Sequence, residues 1–104
     1  MTLTEYQQQA TRTLGDSPHI TNMALGLAGE TGEVVDCIKK ALFQGHELNP
    51  GRLAEELGDV LWYIAGLCTV LNIDMSEVAA GNIEKLKSRY PDGFDEAKSI
   101  ERSE

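Results

Sequence analysis

The stretch "GLAGETGE", Gly26–Glu33, decides how this chain is read. Three glycines and two glutamates in eight residues suit either a loop that cradles phosphate or a helix whose glycines have a packing role. A phosphate-binding glycine loop follows a strand and opens a helix. Here "NMAL" precedes the glycines and "VVDCIKKAL" follows them, and both flanks continue a helical pattern. Gly26, Gly29 and Gly32 then form a slowly drifting stripe along one side of a helix. Each costs about 0.5–1 kcal/mol relative to alanine in that setting. The offsetting gain is expected from close approach of another backbone or of a ligand. The segment reads as helix, with glycines that make room.

Working outward, three more helices fit and no segment alternates like a strand. Thr2 and Glu5 have capping-box spacing, and Leu3, Tyr6, Ala10 and Leu14 recur at helical intervals. "GDSP" (Gly15–Pro18) breaks the chain before a second helix from about Ile20 to Phe43, which ends at "FQGHELNP". Asn49 can cap a third helix with Pro50 at its first position. That helix carries the strongest periodicity: Leu53, Leu57, Val60, Ile64, Leu67 and Leu71. Asp74 and Glu77 offer a capping pair for a fourth helix, which must stop before Pro91. The expected architecture is an all-α, four-helix bundle-like domain over residues 1–94, with a loosely ordered tail over 95–104.

Bulk properties narrow the function. The 104 residues carry 9 Lys/Arg against 17 Asp/Glu, a formal net charge of −8. A nucleic-acid polymer needs a basic footprint, so it is not the expected partner. Single nucleotides stay open, because bound cations screen an anionic pocket. No apolar run approaches the roughly 20 residues of a membrane span. The first residues, "MTLTEYQQQA", lack the basic and apolar regions of a signal peptide. Cys37 and Cys68 show no CxxC spacing and read as buried thiols in a reducing cytoplasm.

The acidic residues are out of place. One seam of the second helix runs Ile20, Met23, Leu27, Glu30, Val34, Cys37, Ala41, and Glu30 occupies a core-facing position. Glu33 lies three residues on, near the same face. The third helix repeats the anomaly along Leu53, Glu56, Val60, Tyr63, Leu67 and Val70, with Asp59 at i+3 from Glu56. Counted from the helix ends nearest their connection, Glu33 sits about 15 Å along and Asp59 about 13–14 Å. In an antiparallel hairpin the four carboxylates converge. Their mutual repulsion then calls for protonation or for divalent cations. All-oxygen ligands favour Mg²⁺ or Mn²⁺ over zinc. A di-iron bundle needs Glu-x-x-His on two helices, which the chain lacks. The competing reading is a non-catalytic helical interaction module whose acids serve solubility.

"GLAGETGEVVD", "EELGDVLWYI" and "NIEKLKSRYPDGF", in this order and spacing, resemble the MazG-like nucleotide pyrophosphohydrolases of the all-α NTP pyrophosphatase superfamily. The resemblance runs from about Ile20 to Phe94. It implies Mg²⁺-dependent hydrolysis of a (d)NTP to monophosphate and pyrophosphate, with a use in nucleotide-pool housecleaning. By position it implies Glu30, Glu33, Glu56 and Asp59 as metal ligands, with Glu30 or Glu33 activating water. Tyr63 matches an aromatic position near the nucleotide. Lys85, Arg89 and Tyr90 match the phosphate-contacting segment, with Asn82 beside them. His19 and Asn22 fall where relatives place nucleotide contacts. Family members build sites between protomers, so a homo-oligomer is expected, as a dimer of dimers with Lys85 or Arg89 completing a neighbour's site. A narrower substrate, dUTP or phosphoribosyl-ATP, is the alternative within the superfamily. Trp62 is expected in the core or an interface, His46 exposed in a polar loop, and Asp36 either solvated or extending the acidic row.

Overall fold

Every long helix starts at a residue that can hold its free amides. The computed structural model describes residues 1–101 as five α-helices: α1 (Leu3–Ala10), α2 (Ile20–Phe43), α3 (Pro50–Val70), α4 (Met75–Arg89) and α5 (Glu96–Glu101). A 3-10 turn, Thr11–Thr13, extends α1. Thr2 and Glu5 form the expected capping box, each side chain bonded to the other's amide at 3.0 Å. His19 caps α2 by accepting the Thr21 amide, Asn49 caps α3 with Pro50 in its first turn, and Asp74 caps α4. The fold is all-α, with no strand among the described residues. Part of the expected loose tail falls on 102–104, outside the described residues; Glu96–Glu101 form α5.

Helices α2 and α3 make an antiparallel hairpin. Gly45, at φ +72°, ends α2 and lets the His46 amide reach back to the Lys40 carbonyl at 3.2 Å. The hairpin register shows where side chains leave no spare room. A Cβ on Gly26 would collide with the Tyr63 ring, and one on Gly66 would press on the Met23 sulfur. The packing gain expected of three glycines is thus made at Gly26 alone. Gly29 and Gly32 face open space, because the stripe drifts off the α3 contact within one turn.

The first helix lies across α3 and the start of α4. The Trp62 indole N–H donates to the Ala10 carbonyl (2.9 Å) and the Thr13 hydroxyl (3.0 Å), which fixes Trp62 as a structural anchor. Tyr6 and Ala10 pack on a small core of Ala65, Cys68 and Met75. Asn72 takes a left-handed turn (φ 58°), and α4 then leaves α3 at 104°. No single helix among the described residues is long and apolar enough to cross a membrane. Cys68 is buried and Cys37 half-buried, and both are free thiols.

Candidate active site

The hairpin register carries the acidic residues to one place. Met23 faces Gly66 and Gly26 faces Tyr63; continuing down the same helices, Glu33 comes level with Glu56. Glu30, Glu33 and Glu56 each offer a carboxylate oxygen within 4.8 Å of the others. Three carboxylates this close repel one another as anions. The Glu56 carboxyl is accordingly pushed above its ordinary range, first by a hydrogen bond shared with Glu33, then by desolvation and by the charges of Glu33 and Glu30. One oxygen of Glu30 is buried and has no hydrogen-bond partner. A divalent cation meets each of these conditions: it neutralises the repulsion, takes the place of the shared proton and supplies the missing partner for Glu30. The residues fit such an ion.

Asp59, expected as the fourth ligand, lies outside this group with an exposed side chain. Its charge is felt across the helix by Tyr6, whose phenol is pushed up mainly by burial and secondarily by Asp59. Tyr63 rests on Gly26 and meets Trp62 edge-on at 5.0 Å, so the two neighbouring rings touch although they leave the helix on different sides. His19 is occupied as the α2 cap and Asn22 is exposed in the first turn. On α4, Asn82 and Lys85 are exposed, while Arg89 and Tyr90 are half-buried and Tyr90 packs on Phe94 at 5.3 Å. Helix α4 packs on α1 and bends away from the axis of α3.

A cavity of about 410 Å³ adjoins the cluster and runs toward the α2–α3 loop. Glu33 and Glu56 line its end at the cluster, and Lys40, His46, Asn49 and Arg52 line it toward the loop. Asp36 also lines it, paired with Lys40 at 2.9 Å, and so faces a cation instead of continuing the acidic row. His46 lies exposed in the α2–α3 loop, as expected, whereas Lys40 and Arg52 are not singled out by the sequence. The signal available for Arg52 was its position one turn before Glu56, on the same face of α3.

Residues 19–94 match the MazG nucleotide pyrophosphohydrolase domain, a span that contains every member of the acidic cluster and its cavity. The chain belongs to this family. The gene 37 protein of Mycobacterium phage L5 is 37% identical over 78 residues, covering 71% of this chain and 68% of that protein. No solved structure matches the chain significantly. The MazG match also covers all of α4 and runs on to Phe94, so the helix that diverges from the hairpin lies within the same match as the carboxylates.

Proposed function

We propose that this MazG chain is a Mg²⁺-dependent (d)NTP pyrophosphohydrolase that releases the monophosphate and pyrophosphate, with Mn²⁺ as a substitute cation. The observation that carries the reading is the convergence of Glu30, Glu33 and Glu56 within 4.8 Å, one of them with a buried, partnerless oxygen. Such a cluster is unfavourable in a fold unless something cationic binds there. When bound, the cation supplies charge neutralisation at the phosphoryl group and a lowered pKa for attacking water. The chain's own residues do the rest. Glu30 and Glu56 hold the cation, and Asp59, one turn along α3 from Glu56, joins them by a side-chain rotation. Glu33, the exposed member, orients the water or takes its proton. Arg52, on the same face as Glu56, contacts the phosphate chain. Lys85 and Arg89 stabilise the departing pyrophosphate from a second copy in a homo-oligomer, a dimer of dimers. The setting is the cytoplasm and the use is housecleaning of the nucleotide pool.

The test is pyrophosphate release from the eight common NTPs and dNTPs, with Mg²⁺ or EDTA, for the unmodified chain and Glu33→Gln. Metal-dependent release, lost in Glu33→Gln by about 10²-fold or more, is expected. Turnover of dUTP or phosphoribosyl-ATP alone would narrow the substrate. A chain that turns over none of them and shows no Mg²⁺-dependent rise in melting temperature is a helical interaction module, and the proposal fails.

A further inference from the structure

The cavity beside the carboxylates gathers its basic side chains, with Asp36 and Glu47 among them, at the end away from Glu33 and Glu56. Glu33 and Glu56 line the end at the cluster, and Arg52, Lys40 and His46 line it toward the loop. Arg52 is one helical turn from Glu56, about 6 Å along the axis, and Lys40 is two turns from Glu33, about 10 Å. Lys40 Nζ holds the Asp36 carboxylate at 2.9 Å. That carboxylate is kept below its ordinary range, first by the Lys40 hydrogen bond and further by the charges of Lys40, Lys39 and His46. The outer end therefore already favours an oxyanion, and Asp36 is the internal one. The pair is an exposed i,i+4 contact, which contributes little to stability and is readily exchanged. Glu47 lines the same end and offsets part of the positive charge, so selection there must come from directed hydrogen bonds and not from a broad field.

Release of pyrophosphate requires the phosphoryl group next to the sugar to lie at the carboxylates. The other two phosphates must then extend away from the acids. Along the cavity, the direction that offers basic side chains in succession is the one past Arg52 toward Lys40 and His46. A diphosphate reaches one phosphate beyond the carboxylates, and a triphosphate reaches two.

We propose that Lys40 and His46 bind the terminal phosphate of a nucleoside triphosphate, displacing Asp36 from Lys40, and so make the site select triphosphates over diphosphates. This rests on the pyrophosphohydrolase reading of the same site. The test is calorimetric binding, with Mg²⁺, of the non-hydrolysable α,β-methylene analogues of a nucleoside triphosphate and of the matching diphosphate. The chains compared are the unmodified protein, Lys40→Met, His46→Gln and Lys39→Met. Lys39→Met removes the same charge as Lys40→Met from an exposed position outside the cavity. Lys40→Met is expected to weaken the triphosphate analogue by about tenfold or more while moving the diphosphate by less than about twofold. His46→Gln lowers the same ratio by a smaller factor, and Lys39→Met leaves it unchanged. Equal losses for both analogues, or no loss for either, overturn the proposal. Binding does not depend on turnover. If both analogues bind with the expected ratio and no nucleotide is hydrolysed, the catalytic reading fails and the subsite stands. If neither analogue binds, both fall.

Discussion

Gly26 and Gly29 are one turn apart on α2, and a methyl group has opposite consequences at the two. At Gly26 it meets the Tyr63 ring, so Gly26→Ala forces the ring aside and destabilises by about 1–3 kcal/mol. At Gly29 nothing stands nearby, and Gly29→Ala gains about 0.5–1 kcal/mol of helix propensity. Thermal or denaturant melts of the two variants check the pair, and in a Tyr63→Ala background the penalty at Gly26 should vanish. A loss at Gly29 would instead place a second copy's backbone on that stripe. Glu56 supplies the pH dependence. Its folded pKa lies above the unfolded value, so the native state binds more protons across that interval and stability falls as pH rises through it. Metal-free protein should therefore melt higher at about pH 5 than at neutrality. With Mg²⁺ the trend reverses, because protons compete with the cation, and Glu56→Gln flattens the metal-free profile. At this scale the sequence was legible where a residue broke a pattern: Glu30 and Glu56 sit where leucines belong. It was silent where spacing repeats, since three glycines look alike until a partner helix meets only one of them. Asp59 shows the same limit, because position on a helix does not state where a carboxylate rotates.

The helices themselves could be read closely, since their ends are written in local chemistry. Thr2, Asn49, Pro50, Asp74 and Pro91 each act through neighbours a few residues away. The angle between helices is not local, and the one that matters here is set by α1. The Gln7 side-chain Nε2–H donates to the Thr69 hydroxyl and the Ile73 carbonyl, both at 3.0 Å, and its Oε1 accepts the Met75 backbone amide at 2.7 Å. The Thr4 amide donates to Ser76, and its hydroxyl donates to Asp74. One short helix thus holds both sides of the bend that aims α4. Gln7→Ala leaves the first amide of α4 and the Ile73 carbonyl without these partners, at a cost of about 1–3 kcal/mol. Hydrogen exchange should show α4 amides losing protection while the α2–α3 hairpin keeps its own. Uniform loss across both would mean that α1 supports the whole fold and not the bend.

One chain alone is open for its length. Its radius of gyration is 16.8 Å, against about 13 Å for a compact domain of this length. Among the described residues, only Met23, Ala65, Cys68 and Met75 are buried hydrophobics, while Phe43 is 80% exposed and Leu42 70%. Exposed apolar side chains gather on α2 (Leu25, Val35, Ile38, Leu42) and on α4 (Val78, Ile83, Leu86), where an apolar cleft runs on to Tyr90 and Phe94. The surplus of apolar residues was visible in composition, but which faces stay uncovered depends on the 104° bend. Two such faces per chain suit the proposed dimer of dimers. Light scattering should give a tetramer, and Leu86→Glu should split it while leaving the helices intact by circular dichroism. The sharper test asks whether α4 serves a neighbour. Glu33→Gln and Lys85→Ala chains, each inactive alone, are unfolded together and refolded as a mixture. If Lys85 reaches another copy's carboxylates, some mixed assemblies pair an intact acidic cluster with an intact Lys85, and activity returns. If each chain's α4 swings back onto its own hairpin, every site in the mixture carries one defect and no activity returns. Lys85 then acts in cis, and the apolar faces serve assembly alone.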